Sequence, residues 1–295
     1  MKNIPKKHHY IPQFILRQFC SEDNFLWYQH KDTGVVESLD TTEVFMEKYL
    51  YYFEDNDKDY FEIEENLSKY ESEISKLLLN QFYDEKIISI TKEEQESIKL
   101  FYAIMGFRSK RAADFFKHSD DKQFVDFYSS FQDDKDFEKF WKKNLKELVK
   151  CRSFAQVNWN PKIDFPIQMF IRRDTTGLWG SYLKIVESEN EEFLLTDAYP
   201  LVIYGNNKLG MELNCFEAFP ISPKRAILIM YDKVDKIIDF NDSVLPKGFY
   251  TKPEEKDGKL VFRVKKIRDE IVKTINSKTL EVNEIGAISY SGKFK

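Results

Sequence analysis

The sequence predicts an α+β fold, and three observations carry that reading. Through the first half, apolar residues recur at three- and four-residue steps, the spacing of one helix face. In the second half they gather in short runs such as LVIY (201–204) and AILIMY (226–231), which read as strands. Helical spacing then returns, with Ile267, Ile271 and Ile275 four apart. The expected architecture is one domain spanning residues 1–295. A helical N-terminal lobe over about 1–150 packs on a small, mostly antiparallel sheet in a lobe over about 151–263. C-terminal helices over about 264–290 close it.

The elements follow in order. Pro12 suits the first turn of a helix, where its missing N–H would have had no partner, and Phe14, Ile15, Leu16 and Phe19 give that helix an apolar side. His8 and His9 therefore sit in an extended lead into a helix N-terminus. Residues 25–53 read as short strands and loops, rich in aromatics at LYYF (50–53). Ile63, Leu67, Tyr70, Ile74, Leu77 and Leu78 mark a helix over residues 62–82. TKEE at Thr91–Glu94 fits a capping box opening a helix to about Lys117, with Ile98, Phe101, Tyr102, Met105 and Phe115 inward. A third helical region covers roughly 121–150. Residues 179–197 read as a β-hairpin turning near 188–190, and helices are expected at 264–275 and 279–290.

Composition narrows the function. Hydrophobic residues make up 42% and aromatics 16%, with 10 Gly and 9 Pro, which gives material for a core and no long low-complexity tract. The balance of 45 basic against 50 acidic residues, 45 − 50 = −5, does not by itself advertise a nucleic-acid partner. The charge is uneven: residues 54–73 are strongly acidic, whereas Lys142, Lys143, Lys146, Lys150 and Arg152 form a basic cluster. Cys20, Cys151 and Cys215 are far apart and show no CxxC spacing, which argues against a disulfide framework or structural zinc and fits reduced thiols in the cytoplasm. The start lacks the apolar region of a signal peptide, and no apolar run reaches membrane-spanning length. Walker loops, GxGxxG and nucleophile-elbow motifs are absent, which removes ordinary NTPases, dinucleotide-dependent dehydrogenases and serine hydrolases.

Several charged residues stand at chemically suggestive spacings. Glu64 and Glu71 are seven apart, almost two helical turns, so both carboxylates emerge on one face as an acid/base pair or as metal ligands. On spacing alone, a solvated stripe in an acidic segment is the more ordinary reading. Arg108 and Arg111 lie three apart near a helix end, suited to phosphate or carboxylate, or to a salt bridge with that acidic helix. Asp197 stands where the apolar run FLLT meets a loop, a place that suits a functional carboxylate and an Asx turn equally. Lys142 and Lys146 share a basic helix stripe that is either solvated or a phosphate track. His30 and His118 have no supporting context.

Taken in order, HHYIPQFILRQF, IEENLSKYE (63–71), FRSKR (107–111), FLLTDAYP (193–200) and FPISPKRAIL (219–228) resemble the widespread, mostly prokaryotic family catalogued as domain of unknown function 4238. The resemblance covers about residues 6–230 and extends to the C-terminal helices. The opening motif is specific, and the later ones persuade as an ordered set. It implicates His8, His9, Tyr10 and Pro12, Glu64 and Glu71, Arg108 and Arg111, and Asp197. Thr196 stands where the family carries Ser, and Ala198 where a polar residue is frequent, which weakens any hydroxyl role there. The resemblance implies a polar site assembled from distant segments. His8, His9, Glu64, Glu71, Arg108, Arg111 and Asp197 would be its catalytic set. Tyr10, Lys142 and Lys146 would bind substrate. A divalent metal (Mg or Mn) could sit on Glu64, Glu71 and Asp197, or His could act as a metal-free base with Arg facing a developing oxyanion.

Either chemistry suits phosphodiester cleavage. The function expected is therefore a nuclease in a phage-defence or toxin-like context, cytoplasmic, with nucleic acid as partner and no membrane. The alternative is a non-enzymatic binding module whose polar residues form a structural network gripping an anion or a protein partner.

Overall fold

The computed structural model describes residues 7–21, 25–51, 57–118, 129, 136–172, 180–232, 234–241 and 243–294. Strand β1 (Lys7–His9) runs antiparallel to β4 (Met46–Lys48), with His8 opposite Glu47. Helix α1 (Gln13–Leu16) passes into a 3-10 turn, Arg17–Phe19, and its apolar side buries Ile15, Leu16 and Phe19. Strands β2 (Phe25–His30) and β3 (Val36–Asp40) pair antiparallel. Helix α2 (Asp57–Gln81) buries Ile63, Leu67, Tyr70, Ile74 and Leu78, the stripe expected from its spacing. β5 (Ile87–Ile90), not anticipated from the sequence, leads into α3 (Lys92–Phe107). The capping box forms in full: the Thr91 hydroxyl accepts from the Glu94 N–H, and the Glu94 carboxylate accepts from the Thr91 N–H.

The helix expected to run to Lys117 is two. α3 ends at Phe107 and α4 (Lys110–His118) starts after a break at Arg108–Ser109. The Ser109 hydroxyl donates to the Gly106 carbonyl, 2.8 Å, and accepts from the Ala112 N–H, 3.1 Å, so one side chain finishes the first helix and caps the second. The break shifts the helical phase: Phe116 is buried and Phe115, expected inward, is exposed. Of the third helical region, residues 121–128 and 130–135 lie outside the described residues, and α5 (Phe137–Leu148) follows with Asp136 as its cap. Two short helices, α6 (Phe154–Trp159) and α7 (Phe165–Arg172), complete the helical part.

The largest sheet is five-stranded and separates two hydrophobic cores. It uses β6 (Ser181–Ser188), β8 (Leu201–Asn206), β9 (Glu212–Pro220), β10 (Arg225–Tyr231) and β13 (Lys265–Ile267), in the order β13-β6-β10-β9-β8. Only β13–β6 is parallel among its pairs. Along β10, Ile227 and Ile229 join the core under the helices while Ala226, Leu228 and Met230 join the core on the other face. Burial on both faces is why the run is continuously apolar rather than alternating.

The expected hairpin at 179–197 does not form; residue 179 itself lies outside the described set. β6 pairs with β10 and β13, while β7 (Leu195–Thr196) joins another sheet. A short helix, α8 (Val234–Ile237), follows β10, and the chain between β6 and β7 is carried across by side chains of helix α9 (Asp269–Val282). Asp269 accepts from the Asn190 and Glu191 N–H groups, and Asn276 from that of Leu194. The C-terminal part also differs from expectation, with one helix followed by strand β14 (Gly286–Ser289) rather than two helices. β14 lies between β2 and β7 in the order β3-β2-β14-β7. A three-stranded sheet, β11 (Glu254–Lys256), β12 (Lys259–Arg263) and β5, completes the α+β architecture. Among the described residues no helix is long and apolar enough to cross a membrane.

Gly286 marks the closest approach in the β14 sheet: a Cβ there would lie 2.3 Å from the Tyr28 hydroxyl oxygen and 2.7 Å from the Gln29 carbonyl oxygen. The backbone carbonyl of a paired strand cannot step aside. Gly286→Ala should therefore lower stability by about 1–3 kcal/mol in a denaturant melt. Gly248→Ala, where nothing lies within 4 Å of the added carbon, is the control expected to change little.

Candidate functional site

Arg108 is the helix-end residue of α3, and its side chain is 1% exposed. A charge in that position needs acceptors close by. It finds the Glu71 carboxylate of α2 at 2.6 Å through one terminal nitrogen and the His9 carbonyl of β1 at 2.7 Å through the other. Its Nε–H has no partner among the described residues. The Arg108 carbonyl accepts from the Tyr51 hydroxyl, 3.1 Å. One residue thus ties together β1, the chain after β4, α2 and α3.

The two histidines divide as extended backbone requires, on opposite sides of the strand. His8 is buried and its ring stacks on Tyr51 with centroids 5.3 Å apart and planes 2° apart. Its Nδ1 accepts from the Tyr51 N–H at 3.3 Å, which leaves the ring proton on Nε2. His9 is half-buried: its Nε2 lies 3.1 Å from the Thr41 carbonyl and 3.3 Å from the Gln13 amide nitrogen. Burial pushes the His9 pKa below its usual value, with Arg108, Lys7 and His8 adding to the effect against the Thr41 carbonyl, so the ring is neutral at neutral pH.

Glu64 and Glu71 share a face but not a situation. Glu71, at 24% exposure, is the Arg108 partner. Glu64 is half-buried beside the same guanidinium, with no hydrogen bond or ion pair of its own among the described residues. Burial raises its pKa to about 7; Arg108 opposes the rise and Glu71 adds to it. Glu71 is less exposed than Glu62, Glu65 and Glu73, as the bordering apolar stripe implies.

Asp197 does different work. Buried at the end of β7, its carboxylate accepts the N–H groups of Glu284, Ile285 and Gly286 at 2.9–3.1 Å and so holds the turn from α9 into β14. Both oxygens are spent on backbone. Among the described residues no three His, Cys, Asp or Glu side chains gather as metal ligands, so Glu64, Glu71 and Asp197 do not form the expected carboxylate set.

Other expected roles also change. Tyr10 is buried and packs on Phe45, 6.0 Å between ring centroids, so it belongs to the core rather than to a substrate surface. Lys142 pairs with Glu138 at 2.8 Å and Lys146 with Glu62 at 3.3 Å. Lys150 also meets Glu62, and Arg152 meets Glu73, so much of the basic cluster is answered by the acidic face of α2 rather than offered to phosphate. Arg111 is 62% exposed and points away from the Arg108 cluster, pairing with Glu284 at 3.4 Å. His30 is in a surface pair with Glu37, and the His118 side chain lies outside the described residues.

The sequence reading missed Tyr51, Thr41, Gln13 and Ser109. Only Tyr51 left a trace, in the aromatic run LYYF, and nothing in that run signals a stack on histidine.

The model of the family described as "Protein of unknown function (DUF4238)" matches residues 7–283. No curated protein and no solved structure matches the chain.

Glu71→Gln removes the countercharge of a buried arginine. Breaking a fully buried pair costs about 3–5 kcal/mol; the partial exposure of Glu71 and the retained amide oxygen bring the expected loss to about 2 kcal/mol. Arg111→Ala, at an exposed long pair, should change stability by no more than about 0.5 kcal/mol. Equal melting temperatures for Glu71→Gln and wild type would show that the Arg108 pair does not hold the fold.

Proposed function

Because this chain belongs to the DUF4238 family, whose description assigns no activity, we propose from its geometry that it is an acid–base hydrolase acting at Glu64. The substrate proposed is a phosphodiester, which makes the protein a nuclease of a phage-defence or toxin-like system. The observation that carries the reading is Glu64 itself: half-buried, unpartnered among the described residues, beside a buried guanidinium, and titrating at about 7. A carboxyl poised at the working pH is what general-base catalysis requires. Glu64 would take a proton from water as the oxygen–phosphorus bond forms and the ester oxygen leaves. Arg108 is too buried to touch a substrate, so its part is to position Glu71 and to set the field at Glu64. His9, neutral and half-buried on the adjoining strand, is the second group able to exchange a proton. No step is routed through a metal, because the carboxylates do not converge.

A second reading has its own support. Arg108, His8 and Asp197 each hydrogen-bond to backbone, and Arg108 also holds the Glu71 carboxylate, as the polar network of a non-enzymatic binding module would.

Glu64→Gln separates the two. If Glu64 is the base, wild type cleaves single- or double-stranded DNA or RNA with a rate rising through about pH 7, and Glu64→Gln loses roughly two to four orders of magnitude. His9→Ala should lose rate while staying folded. Stability supplies an independent check. A raised folded-state pKa gives a contribution that is full below the unfolded value of 4.5 and is lost as pH rises from there through about 7, so Glu64→Gln should melt with wild type at pH 4 and above it at pH 8. Absence of cleavage of every substrate, with or without Mg²⁺ or Mn²⁺, sinks the hydrolase reading and leaves the binding module.

A further inference from the structure

The sheet ordered β3-β2-β14-β7 ends on an open edge. β3 pairs with β2 alone, Asp40 opposite Phe25 and Val36 opposite Gln29. In an antiparallel ladder alternate residues turn their N–H and C=O toward the neighbouring strand. The His30 N–H bond to the Val35 carbonyl, 2.9 Å, sets that alternation: Glu37 and Leu39 face β2, and Val36 and Ser38 face outward. The outward backbone groups of Val36 and Ser38 have no partner among the described residues. Natural edges are shielded by lysine, proline, a bulge or a covering element. β3 reads VESLD, with neither lysine nor proline, and its register with β2 runs without a shift.

The face that Val36 and Ser38 share with β2 is apolar and open, with Phe25 47% and Trp27 40% exposed. The charges around the edge are acidic. From His30 to Glu43 the chain carries Asp32, Glu37, Asp40 and Glu43, with Lys31 as the only lysine or arginine. Lys31 is turned to the end of α9, on the Leu280 carbonyl and Asn283, and Lys7 reaches the Thr42 carbonyl. Glu37 meets His30 through Oε1 only and is 45% exposed. Like charges on facing strands repel. Two copies joined edge to edge about Ser38 would set Glu37 and Asp40 of each against those of the other. The edge therefore disfavours a second copy and suits a basic strand.

We infer that β3 is a docking edge for an extended segment of another protein in which apolar and basic residues alternate. The segment's backbone bonds Val36 and Ser38 as an added strand of the sheet. Its apolar side lies along Val36 toward Trp27 and Phe25, and its basic side lies along Glu37. The surface does not depend on the hydrolase reading.

Anisotropy of a labelled octapeptide of alternating lysine and valine, titrated with the full chain at low salt, tests it. The peptide should bind saturably. An octapeptide of alternating glutamate and valine should bind at least about tenfold more weakly, because charge selects the strand. The lysine–valine peptide N-methylated throughout keeps its charge, loses its backbone donors, and should not bind. Ser38→Pro removes one outward N–H at an edge where proline is tolerated, and should weaken binding about tenfold with the melting temperature kept. Should that variant not fold, the N-methylated peptide decides. No binding of the lysine–valine peptide, equal binding of either control peptide, or binding untouched by Ser38→Pro would each overturn the inference. So would sedimentation showing a dimer that Ser38→Pro dissociates, which would assign the edge to a second copy. Peptide binding by a chain that cleaves nothing would leave this surface standing while the hydrolase reading falls.

Discussion

A guanidinium inside a hydrophobic core is the constraint around which the N-terminal half is arranged. Arg108 cannot shed its charge, and removing it from water is tolerable only where acceptors stand ready. Those acceptors come from positions 37 and 99 residues away in the chain, the Glu71 carboxylate and the His9 carbonyl. Satisfying one side chain therefore fixes the separation of α2 from α3 and the course of β1 across both. Tyr51 adds a third bond to the same residue, at its carbonyl, and a ring for His8 to lie on. The paired histidines at the start of the chain thus divide their roles: one locks the strand, and the other leaves a half-buried imidazole and lends its carbonyl to the arginine.

Asp197 exerts the matching constraint at the other end. Three backbone N–H groups in the turn from α9 to β14 have no regular ladder to join, and a buried carboxylate takes all three. That turn delivers β14 between β2 and β7, so the last strand is stitched between the first hairpin and the middle of the chain. The five-stranded sheet can then be apolar on both faces because helices cover one side and the α9 region the other.

How much of this is legible in the sequence depends on how local the controlling interaction is. The capping box at Thr91, the α2 stripe and the doubly buried run at 226–231 were readable because period and local hydrogen bonding decide them. Of the residues the ordered motifs single out, Arg108 bonds the Glu71 carboxylate and the His9 carbonyl, and Glu64 feels the same charge. Their roles were not readable. Whether Asp197 is chemical or structural turns on N–H groups 87 to 89 residues downstream, and whether Lys146 is a phosphate ligand turns on Glu62 of another helix. The missing hairpin at 179–197 has the same origin, since Asp269 and Asn276 redirect a stretch whose own alternation favoured a turn. The break at Ser109 was local and still missed, because a serine within a helical pattern looks the same whether it is tolerated or capping.

The contrast between Glu64 and Glu71 shows why spacing alone could not assign a function. Seven residues place both on one face of α2 and near one cation, so sequence treats them as equivalents. The guanidinium carries five N–H donors: one terminal nitrogen holds the Glu71 carboxylate, the other the His9 carbonyl, and its Nε–H has no partner among the described residues. Among the described residues Glu64 is left with the cost of burial and no bond to offset it, which is the condition that lifts a carboxyl toward neutrality. The asymmetry therefore lies in where each glutamate stands relative to the guanidinium, not in a shortage of donors: Glu71 is held by a terminal nitrogen, whereas Glu64 feels the same charge only through space.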